Sequence, residues 1–167
     1  MNTPLANMLR YNRWATDTLL DACRSLTDDH LDTRHAWASG SVREVLLHLV
    51  GGQQTFVLRT QGRQHEGELN RSSEWPGFER LAATARSTGE ELVAIAESLD
   101  ADTEVGLTYM GRTYRYPKSF FLVHAVEHGV EHRTEIKIAL AATGVKTPDL
   151  DAWQFAAAMS YGEDITG

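Results

Sequence analysis

An all-α four-helix bundle is the fold this sequence predicts, and three observations predict it. Four long segments carry apolar side chains at three- and four-residue steps, the spacing that puts them on one face of a helix. One stretch alone, residues 103–117, changes to the alternating pattern of a strand pair. The last long segment also lines up His124, His128 and His132 on or beside its apolar side, where a bundle turns inward. A chain of 167 residues suits one domain with a sizeable core, so 1–167 is read as a single domain.

The first helix covers residues 3–25. Leu5, Met8, Leu9, Leu19, Leu20 and Cys23 make its stripe, and Thr3-Pro4 supplies a cap and a first-turn proline. Residues 26–40 break the period and read as a connection with one helical turn at 28–31. The second helix opens on Ser41-Val42-Arg43-Glu44, a capping box in which Ser41 and Glu44 satisfy each other's free backbone donors. Val45, Leu49, Gly52 and Phe56 follow as its stripe, His48 sits inside that stripe, and the helix ends near Thr60. Residues 61–76 are polar and contain glycine, hence a loop.

The third helix, 77–99, carries Phe78, Leu81, Ala85, Leu92, Ile95 and Leu99, with Gly89 as a mid-helix weak point. A β-hairpin turning at Met110-Gly111 comes next, before the fourth helix. That helix runs from Pro117 to Thr143 and stops at Gly144, with Phe121, Ala125, Gly129, Ile136 and Ala139 as its inward stripe. A short C-terminal helix within 149–161 is expected from Leu150, Trp153, Ala157 and Tyr161. Loop lengths leave the order of helix directions open, since both connections around the third helix are long.

The formal charge of −7 and the pI near 5.4 argue against a nucleic-acid partner, which would call for a concentrated basic surface. No apolar run approaches the ~20 residues that cross a bilayer, so no membrane association is expected. Cys23 is the lone cysteine and no charged-then-apolar leader opens the chain, which makes a reducing cytoplasm the expected compartment. With no basic residue beside it, Cys23 reads as a small buried apolar side chain.

The chemistry lies with the histidines. Neighbours in the line His124, His128, His132 stand roughly 6 Å apart along the helix and the outer two roughly 12 Å, so at most two of them can share an ion. His48 faces them from the second helix. A single core-face histidine is more simply read as a hydrogen-bonded structural residue, and an H-x-x-x-H step also arises by chance. Together they suggest three imidazoles around one divalent metal with an open fourth position. Zinc is the first expectation, and nickel or iron also suits such ligands. Glu44, Glu127 and Glu131 are candidates to hold the imidazoles' other ring nitrogens, although each is also an ordinary surface carboxylate. Gln53 and Tyr11 are read either as pocket residues or as packing, and the tryptophans as packing and interface residues.

The runs Tyr11-Asn12-Arg13-Trp14-Ala15, Ser41 to Leu49 and His128-Gly129-Val130-Glu131-His132-Arg133, in that order, resemble the DinB-like metalloproteins over nearly the whole chain. The resemblance implies an up-down-down-up bundle, a homodimer, and one metal held by His48, His128 and His132, with His124 left out. One departure stands out. Where family members often read H-R-G-Q from the last ligand onward, this chain has Thr134 and Glu135 after Arg133.

At superfamily level the group is similar to transferases and isomerases that use a low-molecular-weight thiol. A metal-dependent thiol S-transferase acting on a small molecule is therefore the leading expectation, since the chain offers no nucleophile of its own and a metal can hold an external thiolate. A metal-dependent hydrolase is the close alternative. A non-enzymatic metal-binding stress-response protein is the reading from another class, and it expects no substrate-sized pocket beside the open position.

Overall fold

The computed structural model describes residues 3–65, 67–99 and 101–162. Among them are six helices and one hairpin, in the order α1 (Pro4–Cys23), α2 (Asp28–Leu31), α3 (Val42–Thr60), α4 (Phe78–Glu97), β1 (Glu104–Tyr109), β2 (Arg112–Pro117), α5 (Lys118–Ala142) and α6 (Ala152–Ala158). The local signals act as expected. Thr3 caps α1 by accepting from the Ala6 N–H, and Ser41 and Glu44 close both halves of the capping box on α3. β1 and β2 pair antiparallel from Glu104 opposite Pro117 to Tyr109 opposite Arg112, and Met110 and Gly111 form the two-residue turn at positive φ.

The contacts between helices fix their directions. Arg10 pairs with Glu97 and Arg24 with Glu79, so α4 runs antiparallel to α1. His48 meets His132 while Phe56 meets His124, so α5 runs antiparallel to α3. Gln53 reaches Ala85 and Gln61 reaches Glu91, which makes α3 and α4 parallel, and Asn12 and Thr16 both bond Arg133 with Asn12 also reaching Ala125. α1 and α5 are therefore parallel, and the bundle is up-down-down-up. The long connections around α4 permit it; only these contacts require it.

The core falls into two apolar clusters at different heights. One gathers Leu19, Leu20, Leu46, Leu81, Ile136 and Leu140 among others; the other gathers Leu9, Phe56, Leu92, Phe121 and Leu122. Between them the buried side chains turn polar. Asn12, Thr16, Gln53 and Arg133 occupy this middle height and bond one another or the backbone, with Arg133 Nη2 left without a hydrogen-bond partner among the described residues. The Arg133 guanidinium gives Nη1–H bonds to Asn12 Oδ1 at 2.7 Å and Thr16 Oγ1 at 2.9 Å, lies 5.8 Å over the Tyr11 ring, and has no carboxylate partner among the described residues. Burial pushes its pKa down to about 10, which leaves it charged at neutral pH.

The C-terminal helix differs in detail from its sequence pattern. Its buried residue is Phe155, packed edge-on against Tyr11 at 5.8 Å and beside Trp14, whereas Trp153 is 82% exposed. The Asp151 cap sets the helix start at Ala152, and that phase turns Phe155 inward. Tyr11 and Gln53 prove to be packing residues, the phenol donating to the Leu150 carbonyl and the amide to that of Ala85. No helix among the described residues is long and apolar enough to cross a membrane.

Candidate metal centre

α3 and α5 meet at the middle height of the bundle, and their antiparallel pairing brings His48, His128 and His132 together. One ring nitrogen from each can be chosen so that all three lie within 4.8 Å of one another. His128 Nε2 and His48 Nε2 are 3.3 Å apart, and the His132 ring centroid stands 4.6 Å from that of His48 and 4.3 Å from that of His128. Two nitrogens bound at about 2.0–2.1 Å to one tetrahedral zinc would lie roughly 3.3–3.4 Å apart, so this spacing fits an ion between the rings. Such a convergence of neutral acceptors is what a divalent cation requires.

His124 falls outside the convergence. It is one turn further along α5, its ring packs on Phe56 at 4.6 Å and Phe120 at 5.8 Å, and its nearest carboxylate, Glu127, is 3.8 Å from Nε2. The line of three thus splits into a pair that meets His48 and a third that faces an aromatic wall.

The close approach of the helices depends on a glycine. A Cβ on Gly52 would overlap His128 Cε1 and lie 2.7 Å from its Nε2, so the absence of a side chain on α3 lets the His128 ring lie flat against the helix. Burial holds the rings neutral. The pKa of His48 is pushed down to about 4, first by desolvation and then by the Arg71 charge, and that of His128 to about 3, first by desolvation and then by the neighbouring histidines. At neutral pH both are unprotonated, and a ligating imidazole must be unprotonated.

The partner that orients His132 is Glu135. Its Oε2 accepts from His132 Nδ1 at 2.9 Å, which leaves Nε2 to face the cluster. Ser39, at the end of the connection before α3, gives its N–H and its hydroxyl to the same carboxylate. Burial raises the Glu135 pKa, but these bonds outweigh it and hold the group below the usual carboxylate range.

Glu44, Glu127 and Glu131 do not serve in this way. Glu44 is consumed by Ser41 and Arg34, Glu127 lies beside His124, and Glu131 is exposed. The i,i+3 spacing from His132 to Glu135 was the signal available in the sequence. Replacing Glu135 by alanine is expected to weaken metal binding about 10- to 100-fold while glutamine, which keeps an acceptor, costs less; competition against a chromophoric chelator measures both. Equal affinity in all three proteins would remove Glu135 from the site.

An up-down-down-up bundle with three convergent histidines on its second and fourth long helices defines a class of helical proteins able to hold a divalent metal. A sequence model described as the DinB family matches residues 1–164, and the chain belongs to that family. Two solved structures share the fold. A DinB-like protein from Bacillus cereus superposes with a TM-score of 0.65 at 23% identity, over 87% of this chain and 94% of that one. A DinB-like protein from Bacillus subtilis gives 0.60 at 20% identity, over 89% and 99%. No curated protein matches the chain.

Cys23 is buried and burial alone pushes its thiol pKa up to about 12, so it is no nucleophile at neutral pH.

Proposed function

We propose that the chain is a metal-dependent enzyme that binds one divalent ion, zinc in the first instance, through His48, His128 and His132, and acts on a small molecule as a low-molecular-weight-thiol S-transferase. The observation that carries this reading is a cavity of about 380 Å³ at the outer end of the histidine line. His124, Phe56, Leu107, Tyr116, Phe120 and Phe121 line it. Phe56 also packs edge-on at 5.3 Å against His128. None of the three ligands lines this cavity, which borders them through Phe56 and His124; a protein that used the metal only to join two helices would have no need of a cavity of that size there.

When bound, the ion would supply a Lewis acid at which a thiol can give up its proton near neutral pH. The chain's own contributions are positional. Glu135 fixes the His132 tautomer, Gly52 admits the His128 ring, and Phe56 and Phe120 offer an apolar wall for the electrophilic partner. Hydrolysis by metal-bound water is the second reading, because the same three ligands and open position serve it equally.

The test begins with metal content by mass spectrometry on protein purified without a polyhistidine tag, beside the His48→Ala/His132→Ala double variant. One equivalent of metal that disappears in the variant is expected. The loaded protein is then given an activated chloroarene with and without a small thiol, and a nitrophenyl ester alone. Thiol-dependent loss of the arene supports the transferase; turnover of the ester without thiol moves the assignment to a hydrolase. No metal in either protein, with thermal stability unchanged by added zinc, would overturn the metal reading altogether.

A further inference from the structure

The cavity at the outer end of the histidine line is walled by α3, the hairpin and α5. α3 gives Phe56 and Arg59, and α5 gives Phe120 and His124. The rings form a continuous surface: Tyr116 stacks on Phe120 at 5.4 Å, Phe120 meets His124 at 5.8 Å, and His124 meets Phe56 at 4.6 Å. Phe120 is 44% exposed, so part of this surface is open to solvent. Gln64 closes one side by bonding the backbone of β1, its amide donating to the Gly106 carbonyl and its Oε1 accepting from the Thr108 N–H.

The charge on these walls is one-sided. The chain carries a formal −7, yet the described residues around the cavity include Arg59 and no carboxylate. Arg59 Nη1 donates to the carbonyls of Arg63 and Gln64, which leaves Nε and Nη2 without a hydrogen bond and the guanidinium without an ion pair among the described residues. Thr55, Gln64 and Thr108, by contrast, already bond the Gly51 carbonyl, β1 and Thr113. An open aromatic surface alone would also suit an organic cation, but a cation would meet an arginine here and no counter-charge. Arg59 stands one turn beyond Phe56 on α3, on the side away from His48, so a molecule lying on the rings has its anionic end there and its other end toward the histidines.

We propose that this cavity binds an aromatic carboxylate, with the ring against Phe56 and Phe120 and the carboxylate on the Nε and Nη2 donors of Arg59. That the bound acid is the electrophilic partner of the transfer rests on the metal-and-thiol reading above; its binding does not. Arginine suits this role because Nε and Nη2 lie side by side and match the two carboxylate oxygens in parallel hydrogen bonds. The inference adds a substrate class, aromatic and acidic, and a specificity residue outside the set of metal ligands.

Calorimetric titration of the metal-loaded protein reads binding without thiol or turnover. The probes are 4-chlorobenzoate, the uncharged 4-chlorobenzamide and the saturated 4-chlorocyclohexanecarboxylate. Wild type is expected to bind 4-chlorobenzoate about 10-fold more tightly than the amide and about 5-fold more tightly than the saturated acid. Arg59→Gln should lose the first preference and Arg59→Lys recover part of it, whereas Phe120→Leu should narrow the second and keep the first. A preference for the acid over the amide that survives in Arg59→Gln, or that is absent from wild type, overturns the assignment of Arg59. Equal affinity of wild type for the aromatic and the saturated acid overturns the aromatic class. The His48→Ala/His132→Ala variant should keep both preferences; loss of the first there, with its survival in Arg59→Gln, would put the carboxylate on the ion and overturn the inference. Failure of the metal or thiol tests leaves these titrations unaffected, so the two readings fall separately.

Discussion

His128→Ala is expected to abolish stoichiometric metal binding, with affinity falling by more than ~100-fold, while His124→Ala leaves it largely intact. Loss of an outer partner alone typically costs 10- to 100-fold, so loss of a ligand must exceed that. The two residues are one helical turn apart and of the same type, which makes the comparison a test of geometry rather than composition. His128 Nε2 lies 3.3 Å from His48 Nε2, whereas the His124 ring is packed between Phe56 and Phe120. Calorimetric titration with zinc, with helicity checked by circular dichroism, reads the difference. Equal loss in both variants, with the fold preserved, would show that α5 is set one turn away from the register described.

Gly129→Ala should destabilise the protein by roughly 2–4 kcal/mol, although it adds a single methyl. A Cβ there would overlap Asn12 Oδ1 and come within 2.6 Å of Arg133 Nη1. Both atoms belong to the buried polar layer, so neither can move aside without breaking the bond between them and leaving a buried charge unpaired. On helix propensity alone the same substitution would stabilise by up to about 1 kcal/mol, so the sign of the effect separates packing from propensity. Urea denaturation measures it. A neutral or stabilising result would mean that Asn12 has another place to go.

Much of the architecture was legible in the residues because its signals are local. The Ser41 and Glu44 box, the Thr3-Pro4 start and the Met110-Gly111 turn each act within four residues, and each marks its element boundary to within a residue or two in the structure. That His48 faces a pair of the α5 histidines is legible at one remove, through stripes that have to face a common core; that the pair is His128 and His132 is implied by the family resemblance, and the structure brings these three together. What was not legible acts across the chain. Nothing near Asn12 indicates that it will receive a guanidinium from residue 133. Glu135 lies within reach of a local rule, three residues after His132, and it takes the place that Glu44, Glu127 and Glu131 were candidates to fill. The apolar spacing of the C-terminal helix puts Trp153 in its stripe, whereas the Asp151 cap sets a phase that buries Phe155.

The histidine line is a repeat, and a repeat can be misread by its partner. Sliding α5 by one turn, about 5.4 Å, would present His124 and His128 to His48 in place of His128 and His132, a set of the same type and spacing. Leucine-rich faces above and below would tolerate such a slip far better than the polar layer between them. In the slipped alignment Arg133 would leave Asn12 and Thr16 for apolar neighbours, and Asn12 would face a side chain where it now faces Gly129. The arginine, buried without a counter-ion among the described residues, thus serves as a key that admits one of two otherwise equivalent alignments, and it lies immediately after the histidine whose position it decides.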